Sequence, residues 1–110
     1  MKIKNASDFS KVSDPMLEFA AGCFQALSDR TRLKILRALK DGEKTVHDLV
    51  EMFAWTQPNI SRHLAILARS GMVNKTKRGQ HVYYSVANAG VFDLCNMICN
   101  HASKTISGLT

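Results

Sequence analysis

Long apolar runs are missing from this 110-residue chain. No stretch approaches the roughly 18 uninterrupted apolar residues that a membrane span requires, and the opening MKIKNASDFSKVSDP lacks the apolar core of a secretory signal. The protein is therefore expected in the cytoplasm, with no membrane partner, where cysteines are normally kept as reduced thiols. Catalytic signatures are missing as well: there is no Cys-x-x-Cys pair, phosphate-binding glycine loop, nucleophile elbow or clustered carboxylate pair, which argues against an enzyme. Repeats and low-complexity tracts are absent. Acidic residues are scarce, 9 against 15 Lys and Arg, giving a net charge of +6. Such an excess favours an anionic partner, although charge alone does not separate nucleic acid from a membrane surface.

What is present is concentrated in Thr45 to Leu67, TVHDLVEMFAWTQPNISRHLAIL. Thr45 followed by Asp48 is close to a capping box, and Val46, Leu49, Val50 and Phe53 recur at helical spacing, predicting a helix that ends near Ala54. Thr56 is a candidate N-cap for a second helix, with Pro58 in the first turn, an apolar stripe of Ile60, Leu64 and Leu67, and Gly71 as its stop. Opposite the stripe stand Gln57, Asn59, Ser61, Arg62, His63 and Ala65. Short hydrogen-bonding side chains near a helix N-terminus suit reading of base edges in a major groove. A polar face can equally be a solvated one; the next segment favours the reader.

In MVNKTKRGQHVYYSV, Val73 opens a strand, Arg78, Gly79 and Gln80 form a turn, and Val82, Tyr84 and Val86 alternate along a return strand. This predicts a β-hairpin wing whose Lys75, Lys77 and Arg78, with His81 beyond, are suited to phosphate or the minor groove. Between Arg30 and His81 there are eleven Lys or Arg and four acids, so the cations cluster around the reading elements. Residues 1–13 are polar and aperiodic and predict a flexible arm; residues 14–110 form one domain. Within it, Asp14–Pro15 starts a helix with a broad apolar face, and DRTRLKILRALKDG forms another that buries Leu33, Ile35, Leu36 and Leu39 and stops at Gly42. Asn88 can cap a last helix whose Val91, Leu94, Cys95, Ile98, Ala102 and Ile106 have no obvious cover within the domain. The fold class is mainly α with a small β-hairpin, a winged helix-turn-helix dimerising through its first and last helices. Two copies related by a twofold would set their recognition helices about one duplex turn, roughly 34 Å, apart.

FQALSDRTRLKILRALKDGE, DLVEMFAWTQPNISRHLAILARSGMV and RGQHVYYSV together resemble the ArsR/SmtB family of winged helix-turn-helix repressors, over about Cys23 to Val86. The resemblance implies a homodimeric repressor bound to double-stranded DNA at an inverted-repeat operator and released by an inducer. It places DNA reading at Gln57, Asn59, Ser61, Arg62 and His63, with Arg78 and its neighbours on the wing. The familiar inducer sites do not match. Where arsenic-sensing members have Cys-x-Cys, this chain has Glu43-Lys-Thr-Val-His-Asp-Leu49. The zinc positions appear as Asn88, Gly90, His101 and Lys104, and the reactive-sulfur pair as Arg37 and Ser103.

The three cysteines are Cys23 in the first helix and Cys95 and Cys99 in the last. An i, i+4 spacing sets Cys95 and Cys99 on one helix face, where they can ligate one soft ion. Cys23 is a candidate third ligand, since the resemblance implies that the first and last helices meet at the dimer interface. The candidate occupants are As(III), Sb(III) or another soft metal, acting as inducer and not required for DNA binding. Free cysteine is also a small buried hydrophobe, so packing is the competing reading. A thiol-redox or reactive-sulfur sensing repressor, and a winged-helix protein-interaction module without an inducer, remain as alternatives.

Overall fold

The computed structural model describes residues 8–109. The first seven residues of the expected arm lie outside the described residues, and the rest of it contains a short 3₁₀ turn at Phe9–Lys11. Five helices and one hairpin follow: α1 (Asp14–Leu27), α2 (Arg30–Leu39), α3 (Val46–Phe53), α4 (Gln57–Arg69), β1 (Val73–Arg78), β2 (His81–Val86) and α5 (Gly90–Leu109).

Local chemistry sets most of these boundaries. Ser13 accepts from Met16 N–H ahead of α1, Asp29 from Arg32 N–H ahead of α2, and Thr56 from Asn59 N–H ahead of α4. At α3 the capping box is complete, with Asp48 N–H donating to Thr45 Oγ1 at 3.1 Å and Thr45 N–H to Asp48 Oδ2 at 2.9 Å. Ala54, at φ 55°, carries the left-handed turn between α3 and α4. The first turn of α5 is held by two backbone carbonyls, Asn88 accepting from Val91 N–H at 3.2 Å and Ala89 from Phe92 and Asp93 N–H at 3.0 and 3.3 Å.

The core is a three-helix cluster closed by the hairpin base. Ile35 and Leu36 of α2, Leu49 of α3, and Ile60, Leu64 and Leu67 of α4 are essentially without solvent contact, with Val73, Tyr84 and Val91 buried around them. Each such aliphatic side chain contributes about 1.5–3 kcal/mol through burial. Phe53 and Trp55 stack at 4.6 Å between ring centroids against this core, as structural anchors of the turn. Leu33 departs from the expected core set. It is 43% exposed because it lies on the flank of α2 that faces a cleft toward α5.

β1 and β2 are antiparallel, with Val73 opposite Val86 and Arg78 opposite His81, so Arg78 belongs to the strand and the loop is only Gly79–Gln80. Gly79 supplies the positive φ of 63° that a two-residue hairpin loop needs. Reciprocal backbone hydrogen bonds of 3.0 and 2.8 Å between Lys44 and Tyr84 tie the wing to the segment leading into α3. The molecule measures 47 × 45 × 21 Å with a radius of gyration of 15.8 Å, above the ~13 Å typical of a compact chain of this length. α1 and α5 account for the uncovered surface. Phe19 and Phe24 on α1 and Met97, Ile98 and Ile106 on α5 are each more than half exposed.

Candidate nucleic-acid interface

The N-terminal half of α4 presents Gln57 and Arg62 as exposed side chains, with Asn59 and Ser61 half-buried beside them. Arg62 Nη2 donates to Asn59 Oδ1 at 2.9 Å, one turn apart, so the two polar groups hold each other at the helix surface. Thr56 and Pro58 fix the start of α4, and its free N–H groups and dipole favour an anion there.

His63 is a correction. It was expected among the DNA-reading residues, yet it is buried, with Nδ1 3.2 Å from Arg32 Nη1 and 3.9 Å from Asp29 Oδ2. Burial pushes the imidazole below its usual pKa; Asp29 opposes this, while Arg32 and Arg62 add to it. The neutral ring then accepts from Arg32 at Nδ1. Helical periodicity explains the placement, because residue 63 adjoins the stripe of Ile60, Leu64 and Leu67. Arg32 also donates from Nε to the Ala26 carbonyl at 2.6 Å and from Nη2 to the Gln25 carbonyl at 3.2 Å, satisfying the last turn of α1. A residue that looks in sequence like one more surface cation is thus an internal tie between α1, α2 and α4. The only sequence signal was its place three residues after a helix-capping Asp29.

On the wing, Lys75 and Lys77 share the strand face that buries Val73 at its base, and both are exposed. Among the described residues neither has a carboxylate within ion-pair distance. Arg78 differs again. Both of its terminal nitrogens bond Glu43, Nη1 to Oε2 at 3.2 Å and Nη2 to Oε1, and its guanidinium lies 4.0 Å from the Tyr83 ring centroid. The Glu43 carboxylate holds the Arg78 pKa above its usual value. In the structure its guanidinium is thus paired at the surface with Glu43.

The cysteines do not converge within one chain. Cys23 donates from Sγ to the Ser70 carbonyl at 3.6 Å and lines cavities toward α4 and the α1–α5 groove, whereas Cys95 and Cys99 line the separate cleft between α2 and α5. Among the described residues no cluster of three His, Cys, Asp or Glu is placed to hold a metal ion. The expected three-thiolate site is therefore not formed by a single chain, because the Cys95–Cys99 face of α5 is turned to α2. Burial, helped by neighbouring Cys99, pushes the Cys95 thiol up.

An HTH unit of α3 and α4, a basic hairpin beside it and a polar reader at the α4 N-terminus define a winged helix-turn-helix DNA-binding protein. Residues 29–75 match the model of the bacterial regulatory protein arsR family. The transcriptional repressor SdpR of Bacillus subtilis is 40% identical over 81 residues, covering 74% of this chain and 90% of the relative. The chain belongs to the arsR family. The arsenical resistance operon repressor of Escherichia coli is 43% identical over 65 residues, but this covers 58% of the chain and only 56% of that repressor. The crystal structure of Mycobacterium tuberculosis Rv0081 superposes with a TM-score of 0.77 at 25% identity, covering 87% of this chain and 97% of that one. Family and fold are those of DNA-binding transcriptional regulators, not enzymes. No described helix is long and apolar enough to cross a membrane.

Proposed function

We propose that the protein is a homodimeric repressor of an inverted-repeat operator, reading bases with Gln57, Asn59, Ser61 and Arg62 and gripping phosphate with Lys75 and Lys77. The observation that carries this reading is the pairing of a polar α4 N-terminus with two exposed wing lysines, Lys75 and Lys77, that have no ion-pair partner among the described residues. The exposed apolar faces of α1 and α5 supply the surface for the twofold partner, since a face with five large uncovered hydrophobics is otherwise costly in water.

The inducer is a thiophile held by Cys95 and Cys99, with trivalent arsenic or antimony ahead of divalent metals. Arg30, Lys34, Arg37 and Lys40 stand around the two thiols and oppose a divalent cation. Trivalent arsenic arrives as the uncharged hydroxide and escapes that penalty; each thiol that forms an As–S bond gives up its proton to a departing hydroxide, which leaves as water. The raised Cys95 pKa weighs against Cys95 as the attacking thiolate of an oxidative sensor, whereas a thiophilic centre displaces the proton itself. The name of the Escherichia coli relative supports the same ligand chemistry.

The test is fluorescence anisotropy of the reduced protein on its own promoter DNA, followed by arsenite. The wild type releases DNA, and Cys95→Ser/Cys99→Ser binds normally but no longer responds. Release from that double variant, or retention by the wild type, would remove arsenic from this reading.

A further inference from the structure

The cleft between α2 and α5 has more to it than two thiols. It encloses about 350 Å³, inside the ~300–1,000 Å³ range of small-molecule pockets. Its floor is apolar, built from Leu33, Leu36 and Phe92, and among the described residues no carboxylate lines it. Its rim is a row of four cations on one flank of α2, Arg30, Lys34, Arg37 and Lys40, at steps of three or four residues. Among the described residues none of the four has an ion-pair partner within 4.0 Å. Lys40 Nζ lies 6.0 Å from the Phe92 ring centroid, bridging the two helices at one end of the cleft.

Neighbouring like charges with no ion-pair partner among the described residues repel one another modestly through solvent, and an apolar floor gains nothing from water. One ligand chemistry relieves both: an anionic headgroup between the cations, with Arg37 able to grip a carboxylate by two parallel N–H bonds, and a hydrocarbon body on Leu33 and Phe92. A bare phosphate would satisfy the rim and leave the floor wet. An uncharged hydrocarbon would do the reverse.

We infer that the α2–α5 cleft is a binding site for a small amphipathic organic anion, a carboxylate with an aryl or medium-chain alkyl body. The anion site does not rest on the thiophilic inducer, but the two share one cleft: its occupant would cover Cys95 and Cys99 and compete with a thiophile for them. The cleft is lined by α2, the helix that also carries Arg32, 3.2 Å from His63 of the recognition helix.

The experiment is isothermal titration of the full chain with octanoate, 1-octanol and inorganic phosphate. Octanoate should bind at one site per chain, at least tenfold more tightly than either partial mimic. Arg37→Gln/Lys40→Gln alters only exposed side chains and should weaken octanoate at least fivefold; Leu33→Asp, which sets a carboxylate on the floor of the cleft, should weaken it at least tenfold. Circular dichroism melting confirms that each variant is folded. Bound octanoate should also slow iodoacetamide alkylation of Cys99 severalfold. Equal affinity for octanoate and octanol, equal affinity for octanoate and phosphate, variants that bind like the wild type, or alkylation that ignores the ligand would each overturn the assignment.

Discussion

The wing cations should divide into two classes when salt dependence is measured. Each phosphate neutralised contributes about −0.9 to the slope of log K against log salt. Lys75 and Lys77 are exposed and unpaired among the described residues, so each should contribute a full contact. For a dimer with two wings, Lys75→Ala or Lys77→Ala should make the slope shallower by about 1.8, which over a fourfold salt change is roughly a twelvefold difference in affinity lost. Arg78→Ala should change the slope by much less, because Glu43 already neutralises it. Glu43→Gln is the converse: it frees Arg78 and should steepen the slope. The assay is fluorescence anisotropy on operator DNA from 50 to 200 mM salt. A slope change for Arg78→Ala as large as that for Lys77→Ala, with no effect of Glu43→Gln, would refute the reasoning.

Leu64→Ala removes a fully buried α4 side chain and should cost about 2–5 kcal/mol, read from urea unfolding. Thr56→Ala removes the α4 cap, which accepts from Asn59 N–H at 3.3 Å; about 1 kcal/mol of stability should go with it. His63 has a folded pKa below its unfolded value near 6.5, so its contribution is fully present above 6.5 and is lost as pH falls from there through the folded pKa. Urea midpoints measured from pH 7.5 to 5 should therefore decline, and His63→Gln should flatten the decline; an unchanged decline would place its origin elsewhere. Asp29 and Asp48 have carboxyl groups held below the usual 3.8 chiefly by backbone N–H donors, from Arg32 and Thr45 respectively. Their capping contribution is present above 3.8 and is lost as pH falls through the lower folded values, so Asp48→Asn should flatten the acid limb of a pH-stability curve.

Periodicity and capping made most of the scaffold legible in the sequence. Thr45–Asp48, Thr56 with Pro58, and Gly79 each act through bonds or dihedrals within four residues, and such local signals do not depend on the rest of the chain. His63 was misplaced because a polar residue on the border of an apolar stripe has no sequence mark telling whether a partner waits inside; its partner, Arg32, lies 31 residues away. The ion pair of Arg78 was not legible for the same reason, since Glu43 is 35 residues distant. The cysteines show the limit most clearly. Their i, i+4 pairing was readable, but which neighbouring helix they face is set by tertiary packing: they line the cleft with α2, whereas Cys23 lines the groove between α1 and α5.

The most direct measurement of the central claim is competitive anisotropy of the reduced protein on its own promoter DNA against a scrambled duplex of equal length, with Gln57→Ala/Arg62→Ala alongside. The account predicts saturable promoter binding at least a thousandfold tighter than to scrambled DNA, typical of specific regulators, and collapse of that preference in the variant while scrambled-DNA binding persists. Equal affinity for the two duplexes, or full discrimination by the variant, would contradict it.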